Sequence, residues 1–407
     1  MLAKSTNAEY DTTWVTASGG GGSGLLPPAV LVVSNDMPTD YKSVAATAGA
    51  TVFVCDGTAD EVQIQAAIDL AAPLNGRNST SPNDAQQRGT VQLTGGRFNI
   101  AAPIRMRTGV SLVGMGELTE LRAVSLSATT GYPAGVAAII KQDAVTDHVM
   151  TVRSVWINGN FAAGGSCHGI AWAGPGGSAS GYPDTNPDPS NHIRDVRVSS
   201  FTTGTRHGIW ISNNCRGGHY SNIWVRNCSG NGFWAESTPD SALSGSDFGG
   251  CGTGVRIEGA NWRITGNKTY YSGLSGGPGT GFYFGSGRHT ITDIESQDDV
   301  IGVQLAGIKC AVSGVTVDCA QTDGIILSGS RNAVTSLAVY QRDAGRFTTT
   351  TRGIVFSGAT DLQVVGWVQK NGGGSSTITT TITGTYDTTR NFIRIADDSA
   401  GSIVAVG

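Results

Sequence analysis

The chain has 407 residues, of which 59 are glycine and only 14% are charged, with a formal net charge of −4 and no cluster of Lys or Arg. That balance excludes a phosphate-tracking surface for nucleic acid, and no apolar run approaches the roughly 20 residues that a membrane-crossing helix needs. Seven cysteines, odd in number and without C-x-x-C spacing, read as buried thiols and not as a disulfide framework or zinc site. No metal and no cofactor are expected.

The opening "MLAKSTNAEYDTTWVTASGGGGSG" is a polar peptide with Tyr10, Asp11 and Trp14, followed by a glycine run at 19–24. Six such residues form a flexible linker with a root-mean-square span of about 12–15 Å. The first 30 positions carry no basic stretch followed by an apolar one, so no signal peptide is expected. Next, "CDGTADEVQIQAAIDLAA" (55–72) predicts a helix with Thr58 and Glu61 as a capping box and Ile64, Ile68 and Ala71 on one face. "GTVQLTGGRFNIAAPIRMRTGVSLVGMGELTELRA" (89–123) reads as a series of short strands.

From 167 onward one pattern returns eight times: HGIAW, HGIWI, NGFWA, TGVRI, TGFYF, IGVQL, DGIIL and RGIVF, with glycines at 169, 208, 232, 254, 281, 302, 324 and 353. The first and third residues after each glycine are apolar in every copy, which is the period of a strand with one buried face. A second strand precedes most copies, as in Val155-Trp156-Ile157 and Val196-Arg197-Val198. Short strands at this spacing with no intervening helix predict an all-β fold, a right-handed parallel β-helix, whose corners are expected to use glycine for positive φ. The helix at 55–72 would cap its first coil, and "AGPGGSASGYPDTNPDPSN" (173–191) would be a surface loop.

Several of these stretches resemble a known family. The Asp-Gly-Thr helix, the Gly-Thr-Val-x-Leu strand and the Gly-Val-x-Leu-x-Gly-x-Gly turn are similar to the pectate-lyase-like superfamily. "VCDGTADEVQIQAAID" looks like the opening of β-helical minor tail proteins and tailspikes of actinobacterial phages, and "LAKSTNAEYDTTW" (2–14) is similar to a segment near domain junctions of phage tail fibres. The resemblance implies a virion structural protein, located in the phage tail and extracellular after lysis, that attaches to a host surface glycan or envelope component. It also implies a homotrimer and contact with other tail proteins through residues 1–18. The alternative is a tailspike polysaccharide depolymerase, a lyase or glycoside hydrolase.

On this reading, residues 1–18 are a tail-attachment peptide, 25–125 the cap and first coils, 126–359 the coils, and 360–407 a C-terminal coil or cap and candidate trimerisation region. Candidate catalytic carboxylates are Asp184 and Asp188 in the long insertion and the neighbours Asp298 and Asp299. The last pair is similar to the paired aspartates of polygalacturonases, but the companion motifs of that family are absent or out of order. A polar turn is the expectation there. His168 and His207 share a repeat slot with residues as varied as Thr253 and Arg352, so that slot reads as a turn. The outward residues Trp210, Trp234, Arg256 and Tyr283 should stand side by side on successive coils. Such a stripe is expected to pack against a neighbouring subunit, to contact a glycan, or to lie under an insertion.

Overall fold

The computed structural model describes residues 2–4, 14–16, 30–47, 51–72, 89–126, 128–145, 147–160, 167–174, 191–212, 215–273, 277–342, 347, 349–369, 377–386, 391–397 and 402–406. Its main body is a parallel β-helix in which each coil has three legs. The first two legs are often one bent strand, such as Thr151–Asn158, His192–Phe201 and His219–Cys228, paired in parallel from coil to coil. The third leg is the glycine-led strand: His168–Ala173, Ile209–Ser212, Asn231–Ala235, Thr253–Ile257, Thr280–Phe284, Ile301–Leu305, Asp323–Leu327 and Thr349–Ala359. These pair in that order within one parallel sheet.

Alternation along each leg builds the core. All sixteen apolar residues following the repeat glycines are buried, from Ile170 and Trp172 to Ile354 and Phe356. At about 1.5–3 kcal/mol for each fully buried large side chain, the stacked interior is the main stabilising term. The seven cysteines are free thiols, all buried, six of them in this core and Cys319 at a corner.

The corners differ from expectation. A left-handed residue bends eight successive coils between their first and second legs: Ser154, Asp195, Asn222, Gly245, Gly266, Asp293, Gly314 and Ser336. A second column, Ser200, Asn227, Gly250, Tyr271, Asp298 and Cys319, turns the chain out of the second leg. Polar residues hold most of these positions, because short side chains that bond locally tolerate this conformation.

The repeat glycines do something else. A Cβ on Gly169, Gly208, Gly232, Gly254, Gly302 or Gly324 would lie 2.4–2.7 Å from the carbonyl oxygen of the corresponding glycine one coil on. Their backbone φ is ordinary, so the expectation of glycine-made corners fails at the repeat motif. Glycine is required there because successive backbones approach too closely for any side chain.

At the front, helix α1 (Thr39–Thr47) was not foreseen, and helix α2 (Glu61–Ala71) covers the first coil with Ile64, Ala67, Ile68 and Ala71 buried. The expected capping box does not form. Thr58 bonds Asp56, while Asp60 accepts from the backbone of Gly57 and Asn99, and Glu61 accepts from Ala101 N at 2.9 Å. The polar residues at the helix start therefore tie it to the strands beneath. At the other end, Phe392–Asp397 continues the parallel coil, and Ser402–Val406 pairs antiparallel on it. Leu2–Lys4 and Trp14–Thr16 form a separate antiparallel pair. Among the described residues no helix is long and apolar enough to cross a membrane.

The two uses of glycine separate by substitution. Gly302→Ala places a methyl 2.4 Å from Gly324 O and 2.5 Å from Val317 Cγ1, whereas at Gly245, with φ +56°, an added Cβ meets nothing within 4 Å. Chemical denaturation should show Gly245→Ala costing about 1–2 kcal/mol and Gly302→Ala clearly more, up to loss of folding. Equal costs would contradict the close-approach explanation.

Candidate binding groove

The third-leg sheet sets the outward stripe in exact register: Trp210 pairs with Trp234, Trp234 with Arg256, and Arg256 with Tyr283. The two indoles stack at 5.6 Å between centroids with 18° between planes. Each indole is oriented by a carboxylate. Trp210 Nε1 donates to Glu236 at 3.1 Å, and Trp234 Nε1 donates to Glu258 at 2.9 Å. Arg256 donates to the other oxygen of Glu258 at 2.6 Å and lies over the Tyr283 ring at 4.9 Å. Burial opposes ionisation of Glu258, but the bonds from Arg256 and Trp234, with the Arg256 charge, outweigh it and hold the carboxyl below its ordinary value.

Preceding rungs of the same column are closed. Ala171 and Lys141 are fully buried, and Lys141 Nζ donates to the carbonyls of Thr129, Gly131 and Val136. Burial lowers the Lys141 ammonium to about 8. The segment that covers them also forms one wall of a groove of about 660 Å³, with Trp210, Trp234 and Glu236 along its length and Arg206 at its side.

His168 and His207 line this groove, contrary to the expectation that theirs is an indifferent turn slot. Their rings stack at 4.9 Å and 5°, and His207 also meets Trp234 at 4.7 Å. The Nδ1 of His168 accepts from His207 N at 3.0 Å, and that of His207 from Asn231 N at 2.9 Å. With Nδ1 occupied as an acceptor, each neutral ring carries its proton on Nε2. Burial first, then neighbouring cations, lowers His168 to about 3 and His207 to about 4. The pair is thus neutral at physiological pH, each ring carrying one N–H, on Nε2. A variable slot in the repeat concealed them; the signal available was two histidines at one register on adjacent coils.

The expected carboxylates do not assemble here. Asp184 and Asp188 lie outside the described residues, as do Tyr10 and Asp11; Trp14 lies in the N-terminal antiparallel pair, with Lys4 as its partner. Asp298 is a left-handed corner residue whose buried carboxylate is bound by Arg342, which also binds Asp318. Asp299 is buried too, accepting from Thr269 Oγ1 at 2.7 Å, Ser272 N at 2.7 Å and Ser296 Oγ at 2.6 Å. Burial pushes its carboxyl up to about 6. Both side chains are fully buried at this bend. Among the described residues no three His, Cys, Asp or Glu side chains gather as a metal site.

No protein-family model and no curated protein sequence matches the chain. Among solved structures it is similar to the enzymatically active domain of tailspike protein 2 of bacteriophage CBA120, with a TM-score of 0.50 and 17% identity. It is also similar to the ORF18 protein of Geobacillus virus E2, with a TM-score of 0.51 and 11% identity. The matches cover 82% and 84% of this chain but only 44% and 59% of those proteins. At such identities the likeness establishes the fold.

The buried histidines make stability depend on pH with a definite sign. His168, His207 and His289, the last lowered to about 4 chiefly by burial, are all depressed below the unfolded value near 6.5. The unfolded chain therefore binds more protons below pH 6.5, and stability falls as pH drops from there toward 4, by up to about 1.4 kcal/mol per pH unit for each histidine. Asp299, raised to about 6, acts in the opposite sense. The readout is therefore the difference between wild type and a His168→Gln, His207→Gln variant in urea denaturation at pH 7, 6 and 5. The variant should lose less stability on acidification; equal losses would contradict the assignment.

Proposed function

We propose that the chain is a tailspike-like component of a phage tail that attaches the virion to a host surface glycan, held in the Trp210–Trp234 groove. The observation that carries this reading is a concave, aromatic-floored site. The stacked indole pair offers apolar surface for sugar rings, while Glu236 and the histidine Nε2–H groups offer an acceptor and donors for sugar hydroxyls. Walls on this stretch favour a ligand over flat packing against a subunit. The fold likeness to a phage tailspike supports the setting. Homotrimeric assembly, attachment to another tail protein through residues 1–18, and a place at the cell-facing part of the tail belong to the same proposal.

One observation favours the depolymerase alternative. Glu236 and Glu258 hold equivalent positions on adjacent coils, each bonding through its N–H to the strand one coil back. Carboxylate pairs of this kind cleave glycosidic bonds when suitably spaced. Release of reducing ends or unsaturated sugars by wild type, abolished in Glu236→Gln, would establish it.

For attachment, Trp210→Ala and Trp234→Ala should each weaken binding to host envelope polysaccharide by about tenfold or more, since an aromatic stacking partner contributes on the order of 1–3 kcal/mol. Far-UV circular dichroism and oligomeric state should be unchanged. Loss of the oligomer with retained glycan affinity would show that the stripe is a subunit contact.

A further inference from the structure

A second groove, of about 590 Å³, lies on the first legs of the early coils, away from the indole stripe. Register builds it as two parallel columns. Thr90, Ser111, Thr151, His192 and His219 pair in succession across five strands. Two residues further along, and so on the same face, Arg153 pairs with Arg194 and Arg194 with Ser221. The intervening Val91, Leu112, Val152, Ile193 and Tyr220 point inward and are buried. At about 4.8 Å per coil, the first column runs for about 19 Å along the solenoid axis.

The chemistry of this lining is one-sided. It presents two guanidinium groups, a pair of imidazoles stacked at 5.3 Å, and four hydroxyls, and no carboxylate lines it. Arg194 contacts Asp195 at the adjoining corner at 3.2 Å, with Asp195 shared by Asn222. Among the described residues Arg153 has no carboxylate partner. The hydroxyl of Thr151, in the middle of the column, is buried with no hydrogen-bond partner among them. A cation with no carboxylate partner among the described residues, beside a second arginine and a row of hydroxyls in one elongated groove, on a chain of net charge −4, marks a place where an anion belongs.

We propose that this groove binds an acidic oligosaccharide, a linear glycan whose carboxylate, sulfate or phosphate groups meet Arg153 and Arg194 while its hydroxyls meet the Ser/Thr column. Length favours an oligomer over a single ion. The lining lacks the large aromatic platforms that single-stranded nucleic acid uses, and the hydroxyl row matches sugar hydroxyls. The site does not depend on the indole groove, and the two fail independently.

The test is calorimetric titration of the full chain with hexagalacturonate, a heparin-derived hexasaccharide, teichoic-acid fragments, inorganic polyphosphate, a single-stranded oligodeoxynucleotide and neutral maltohexaose. At least one acidic glycan should bind, more tightly than polyphosphate or oligonucleotide, with maltohexaose not competing. The glycan that binds identifies the anionic group. Arg153→Ala and Arg194→Ala should each weaken it about tenfold or more, with unchanged melting temperature, because both side chains point away from the core. Trp210→Ala should leave it unchanged. The proposal is overturned if no acidic glycan binds, if polyphosphate or oligonucleotide binds equally well, if the arginine variants bind as wild type, or if Trp210→Ala removes the binding.

Discussion

Close contact of one coil's backbone with the next is the constraint on which this structure depends. Along the third leg, each repeat glycine from Gly169 to Gly324 sits where a Cβ would run into the carbonyl of the next coil's glycine, at 2.4–2.7 Å. That approach lets the strands pair in unbroken register from His168–Ala173 to Thr349–Ala359. Register in turn places every inward residue on its counterpart, so the interior is a set of stacked columns. Single left-handed residues at the corners then keep each coil to the same perimeter.

The same register governs the outside. Because an outward residue stands about one strand spacing from its counterparts, one substitution per coil suffices to write a continuous surface feature along the axis. Trp210, Trp234, Arg256 and Tyr283 form one such line. Trp156, Arg197 and Trp224 form another on the second legs, where Arg197 lies between two indoles at 4.9 and 4.0 Å. The feature becomes a groove only where something stands beside it, as the segment through Thr129 and Val136 does for the indole stripe. The scaffold thus supplies rigid spacing, and excursions from it supply concavity.

The fold was largely legible because its dominant signal, apolar alternation behind a glycine, is local and repeated. The stripe was legible for the same reason, since outward residues of a known register can be aligned by counting. The role of the glycines was not: a steric conflict with the following coil leaves no mark in the sequence distinct from a demand for positive φ. The Thr58 and Glu61 pattern misled because Glu61 found a backbone partner at Ala101, forty residues away. His168 and His207 read as turn residues because their repeat slot is varied, whereas each coil uses that slot for what lies beside it. Asp298 and Asp299 were legible as a turn, though not the burial of both carboxylates with Arg342, Thr269 and Ser296 as partners.

The central claim, that the indole groove is the attachment site, is tested most directly by a crystal structure of the protein with oligosaccharides prepared from the host envelope polysaccharide. The expected result is a sugar ring packed against the Trp210–Trp234 indole pair, with its hydroxyls on Glu236 and the histidine Nε2–H groups. A groove filled by a neighbouring subunit, or oligosaccharide bound elsewhere with the indoles bare, would contradict it.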